Sequence, residues 1–144
     1  MRIILLAFIL FFNSCSHLLH CQTILLKITN ISEQKGQLCI AFFDSEEGFK
    51  AEKTCYELKI DKSKVKLHEL QVEIPFRSGK FGISVLDDAN FDGKMQYNLI
   101  CIPREGFGFS DYYHRGIKRP VFDDFDFYLE KNEVRNVTVR MKYF

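Results

Sequence analysis

At 144 residues the chain is long enough for one domain with a single core, and 47% hydrophobic content against 27% charge excludes a disordered chain. Lys plus Arg total 20 and Asp plus Glu total 19, and Arg2 is the only charged residue before Lys27. Losing the leader therefore brings the balance to about zero, which removes any general electrostatic reason to bind nucleic acid or an anionic membrane.

Met1 and Arg2 precede an unbroken apolar run, Ile3 to Phe12. That run is too short to span a bilayer and suits the apolar core of a signal peptide. Two exits are open. Cleavage after Cys21 leaves Gln22 first. A lipobox reading of Phe12-Asn13-Ser14-Cys15 instead makes Cys15 a lipid anchor, the one membrane attachment expected. Residues 1–21 are accordingly assigned to a cleaved signal peptide and 22–144 to one domain exported to the periplasm, the outer-membrane surface or the medium. Cys39, Cys55 and Cys101 remain after the leader, and an oxidising compartment makes Cys39 with Cys55 the candidate disulfide. The alternative is a Cys39 that packs as a small buried hydrophobe.

In chain order, Thr23 to Thr29 is β-rich, and the polar run 30–36 ends in Gly36, a turn. Gln37 to Phe43 is apolar enough to be buried on both faces. A polar connection, Asp44 to Lys53, has room for one helical turn. Thr54 to Ile60 alternates, with Cys55, Glu57 and Lys59 set against Tyr56, Leu58 and Ile60, and the basic segment 61–66 reads as a loop. Leu70 to Ile74 alternates up to Pro75, and Phe81 to Leu86 is the next strand. Asn98 to Ile102 is short and apolar, and residues 103–119 read as irregular. Phe125 to Leu129 and Val134 to Met141 complete the set, the last with Val137, Val139 and Met141 on one face. With no helical period over eleven or more residues, about seven short strands predict an antiparallel β-sandwich. Most of the 15 Phe and 6 Tyr are then core.

The densest run of oxygen ligands follows the strand at Phe81: Asp87-Asp88-Ala89-Asn90-Phe91-Asp92-Gly93-Lys94-Met95-Gln96. Asp88, Asn90 and Asp92 sit at positions 1, 3 and 5 of a calcium-type loop, with Gly93 at the turn, the Lys94 carbonyl at 7 and Gln96 at 9. Position 12 is Leu99 rather than Glu, so a calcium site would need Asp87 or Glu105 as an extra ligand. The competing reading is a polar connection in which Asp and Asn side chains bond their own backbone.

Other constellations are weaker. Gly106-Phe107-Gly108-Phe109-Ser110 lacks the Gly-Lys-Ser/Thr of a phosphate loop and reads as an Ω-like loop with Phe107 and Phe109 buried. A groove lined by Phe109, Tyr112 and Tyr113 is the alternative. Ser110, Asp111 and His114 lie close in sequence without a nucleophile elbow. Only His68 and His114 remain after the leader, which excludes a three-histidine zinc site within one chain, and no Cys-x-x-Cys is present. Asp123, Asp124 and Asp126, interleaved with Phe122, Phe125 and Phe127, read as solvent-facing strand edges.

Four ordered blocks resemble a known family: Gly36 to Phe49; Gly79-Lys-Phe-Gly-Ile-Ser-Val-Leu-Asp-Asp-Ala-Asn-Phe-Asp-Gly-Lys94; Ile102-Pro-Arg-Glu-Gly-Phe-Gly-Phe-Ser110; and Pro120 to Asp124. The chain resembles, from about Ile24 to Tyr143, a bacterial exported family catalogued as domain of unknown function 2141. The resemblance implies an immunoglobulin-like or transthyretin-like β-sandwich and no known activity. The family's loop usually reads His-Asp-x-Asn-x-Asn/Asp-Gly-Lys-Leu-Asp; here Asp87, Met95 and Gln96 replace its His, Leu and last Asp.

The expected role is a non-enzymatic binding or structural module of the cell envelope, with a protein or glycan partner, no nucleic acid, and calcium as the one candidate cofactor. A rival reading, an enzyme or accessory subunit acting on an extracellular substrate, requires Asp87, Glu105, Asp111 and His114 to converge. A third, a carrier of a small apolar ligand, requires a cavity in the Phe-rich core.

Overall fold

The computed structural model describes residues 22–31, 35–99, 102–116 and 118–144. The leader, Cys15, Cys21 and Cys101 lie outside the described residues. β1 (Gln22–Thr29) buries Ile24, Leu26 and Ile28, every second residue, as a one-faced strand should. It sits between β4 (Leu70–Phe76), antiparallel, and β8 (Val134–Arg140), parallel. Leu26 faces Val137 and Ile28 faces Val139 across the parallel seam. Val137, Val139 and Met141 are all buried, as the alternation predicts.

The second sheet is centred on β2 (Gln37–Phe43) and β5 (Gly79–Asp88), with β3 (Tyr56–Asp61) on the far side of β2. The outer edge of β5 is shared: β7 (Asp126–Leu129) pairs with residues 79–82 and β6 (Gly106–Phe109) with residues 84–87. Among the described residues this makes eight strands in two sheets, an all-β fold. Leu38, Ile40, Phe42, Phe81, Ile83 and Val85 meet Ile24, Leu26 and Ile28 in one core between the sheets. Each such side chain contributes about 1.5–3 kcal/mol by leaving water.

β2 is buried on both faces, as expected. Its outer face carries Phe43 into a second cluster with Phe49, Phe109, Phe122 and Phe125. A helix of one turn, α1 (Glu46–Lys50), lays Phe49 over this cluster. Ser45 caps it by accepting from the Gly48 N–H at 3.2 Å, and Glu46 pairs with Lys50. Losing that cap would cost about 1 kcal/mol. The Arg119 guanidinium lies 4.2 Å from the Phe49 ring centroid and donates to the Phe49 carbonyl at 2.7 Å, closing the cluster from outside.

Three expectations are corrected. Residues 106–109 form strand β6 rather than an Ω-like loop. Gly106 and Gly108 read as loop punctuation, yet they are where the C-terminal segment lies against the sheet. A Cβ on Gly106 would meet the Tyr143 ring at 2.1 Å, and one on Gly108 would meet Val139 Cγ1 at 2.6 Å. The sheets are not wholly antiparallel, because β1 and β8 run parallel. Cys39 and Cys55 do not pair, and both are free. The β2–β3 register sets Cys39 opposite Lys59 and Phe42 opposite Tyr56, so Cys55 falls at the other end of the ladder.

Candidate functional site

β5 ends in two buried carboxylates that its pleat sends to opposite faces. Asp87 follows Phe81, Ile83 and Val85 toward the space between the sheets. Asp88 follows Ser84 and Leu86 to the outer face, where it meets Gln37 and Cys39. Gly36, at φ +90°, lets the start of β2 pass against this corner; a Cβ there would lie 2.3 Å from the Asp88 carbonyl oxygen.

Asp88 closes the acidic loop. Its Oδ1 accepts the Asp92 N–H at 3.1 Å; its Oδ2 accepts the Gly93 N–H at 2.8 Å and the Gln37 amide at 2.6 Å. Asn90 Oδ1 also accepts the Asp92 N–H, and Asn90 Nδ2 donates to Asp92 Oδ2 at 3.0 Å. Asp92 in turn accepts the Lys94 N–H and the Gln96 amide, both at 2.8 Å. These bonds, the Lys94 N–H first, hold the Asp92 carboxyl below its ordinary range. Phe91 (φ 63°) and Gly93 (φ 70°) supply the left-handed turns. Glu105 ties the two limbs together, accepting the Ala89 and Gln96 N–H groups at 3.3 Å each. Burial raises its pKa, against the lowering effect of those two bonds.

Calcium takes about 6–8 oxygens at roughly 2.3–2.6 Å. Here both oxygens of Asp88, of Asp92 and of Glu105 already accept N–H groups, and Asp87 faces away. Among the described residues no three His, Cys, Asp or Glu side chains gather as a metal cluster. As placed, these oxygens close the loop on its own amides, with Asp and Asn side chains serving its backbone; a carboxylate oxygen has lone pairs for both an N–H and an ion.

On the inner face a second polar group forms. The turn after β3 is capped by Asp61, whose carboxylate accepts the Ser63 N–H at 2.8 Å, and the Lys62 N–H donates to the Gly36 carbonyl. This turns Lys62 inward, with 0% of its side chain exposed against 4% for Asp87. Lys62 Nζ lies 2.5 Å from Asp87 Oδ1, and the Tyr143 hydroxyl donates to Asp87 Oδ2 at 2.7 Å. Nothing in the sequence marks Lys62, since it stands in a basic run like its exposed neighbours Lys59 and Lys64.

Asp87, Glu105, Asp111 and His114, which the rival enzyme reading needs together, are held by separate partners, and so is Ser110. The Ser110 hydroxyl donates to the Phe125 carbonyl and accepts the Ile83 N–H at 2.9 Å, so it fastens β6 to the sheet. Asp111 accepts the Thr138 N–H at 2.8 Å. His114 is buried beside Phe107, Phe109 and Tyr112, where burial lowers its pKa. The alternative groove does not form: Phe109 is buried in the aromatic cluster, while Tyr113 lies exposed under the Arg140 guanidinium. The long loop exposes apolar side chains among polar and charged ones, the latter including Asn90, Asp92, Lys94 and Arg104. Phe91, Tyr97 and Leu99 face solvent, and Tyr97, Asn98, Leu99 and Arg104 line a shallow surface depression.

The profile of a family described as uncharacterized proteins conserved in bacteria (DUF2141) matches residues 26–137. Comparison with curated proteins and with solved structures returns no match.

Proposed function

Because this chain belongs to the bacterial DUF2141 family, we propose that it is an exported, non-enzymatic binding module of the cell envelope. In this reading the two sheets are an immunoglobulin-like or transthyretin-like sandwich, and the apolar tip of the 89–105 loop is the contact surface. The leader supports export, and the core shared by the two sheets supports the sandwich.

One observation carries the reading. In the 89–105 loop the polar side chains of Asn90, Asp92, Asn98 and Glu105 bond within the loop, while Phe91, Tyr97 and Leu99 point to solvent with no partner in the core. Exposed apolar side chains on a loop whose polar groups bond one another offer the kind of surface that protein interfaces use. The chain's near-neutral charge leaves shape and apolar burial to provide affinity. A protein partner on the envelope fits this chemistry best.

Co-sedimentation with purified bacterial envelopes tests it. The wild-type chain is expected to pellet with the envelopes, and the Phe91→Ser, Tyr97→Ser, Leu99→Ser triple variant to lose about tenfold or more of that binding. Protease treatment of the envelopes should abolish it. Equal binding by wild type and variant, at equal melting temperature, would overturn the loop as the contact surface. Binding that survives protease would replace the protein partner with a glycan.

A further inference from the structure

We propose that Lys62 and Asp87 condense within the folded chain to form an intramolecular amide, a covalent tie between the turn after β3 and the end of β5. Both side chains are withdrawn from water, with Nζ and Oδ1 at 2.5 Å. Among the described residues Asp87 is the one hydrogen-bond partner of the Lys62 side chain. A buried ammonium with a single acceptor leaves its other two N–H donors unmatched, at a considerable desolvation cost. An amide nitrogen carries one N–H in place of three and no charge.

The step balances without any co-reactant. The ammonium passes one proton to the Asp87 carboxylate, giving a neutral amine beside a carboxylic acid and removing both buried charges. The amine lone pair attacks Cγ, and negative charge develops on Oδ2, where the Tyr143 hydroxyl already donates at 2.7 Å. The C–Oδ1 bond breaks, the leaving hydroxyl takes a second proton from the nitrogen, and one water departs. The fold holds the reactants in place before reaction, which replaces a bimolecular encounter. Asp61 capping and the Lys62 N–H bond to Gly36 fix the lysine, while ladders on both sides fix β5. Because β3 and β5 flank β2 rather than each other, the bond would span β2 and brace the corner from which the acidic loop departs.

Tryptic digestion of the full chain, unfolded in denaturant, reads the bond directly. Acylated Lys62 resists trypsin, so peptide Ile60–Lys64 is expected joined to peptide Phe81–Lys94, lighter than their sum by one water. Lys62→Arg should give no joined species. Asp87→Asn should give the same link with loss of ammonia, and Tyr143→Phe should lower the linked fraction. A wild-type digest that is cleaved after Lys62 and contains only the separate Phe81–Lys94 peptide would overturn the proposal.

Discussion

Replacing Asp88 by Ala should be the most damaging single change in the acidic loop, and by a margin that the bond pattern sets. Asp88 accepts two backbone N–H groups and the Gln37 amide from a fully buried position. The Asp92 and Gly93 amides lie near the surface and can turn to water, so their loss is worth about 0.5–1 kcal/mol each. The Gln37 bond, to a buried charged acceptor, is worth about 1.5–3 kcal/mol. The sum is about 2.5–5 kcal/mol, which at an m-value of about 1–3 kcal/mol/M lowers the urea midpoint by roughly 1–5 M. Asp92→Ala and Asn90→Ala remove bonds between exposed groups and should shift the midpoint far less. The assay is equilibrium urea unfolding of the three variants in chelator and in millimolar calcium. Equal losses for Asp88→Ala and Asp92→Ala, or losses confined to the calcium samples, would refute the amide-closed loop and favour a cation holding the oxygens together.

Gly108→Ala should destabilise by about 1–3 kcal/mol, because the added Cβ meets Val139 Cγ1 at 2.6 Å and the Arg140 carbonyl oxygen at 2.9 Å, the latter backbone that cannot yield cheaply. Gly116→Ala, with nothing nearer than 3.6 Å, is the neutral control, and thermal unfolding of both checks the pair. The folded chain lowers the His114 pKa below its ordinary 6.5, so the unfolded chain binds the proton more readily. Stability should therefore fall as pH drops from about 6.5 through the lower folded value, and His114→Gln should flatten a plot of melting temperature against pH over that window. Ser110→Ala should cost about 1–3 kcal/mol by leaving the buried Ile83 N–H without its side-chain acceptor, measured by urea unfolding.

Alternation with period two made β1, β3, β4 and β8 readable, because each has one wet face. β2 and β5 were readable as continuous apolar runs. β6 was not, since its glycines serve contact with Tyr143 and Val139, which lie more than thirty residues away. The parallel β1–β8 seam is likewise invisible to local pattern, because it joins the two ends of the domain. In the acidic loop the oxygen spacing was legible and its use was not: a run of Asp and Asn serves a cation or its own amides equally well. Gln37, which fills the remaining side of Asp88, lies 51 positions away in sequence. The inward turn of Lys62 depends on Gly36 and Asp61 together, and neither residue signals it alone.

Hydrogen exchange at the Asp92 and Gly93 amides, followed by NMR in excess chelator, tests most directly whether the loop holds itself and can serve as a preformed platform. Protection of both amides without calcium, lost in Asp88→Ala, is the predicted result. Rapid exchange at both in chelator, with protection restored only by calcium, would contradict it.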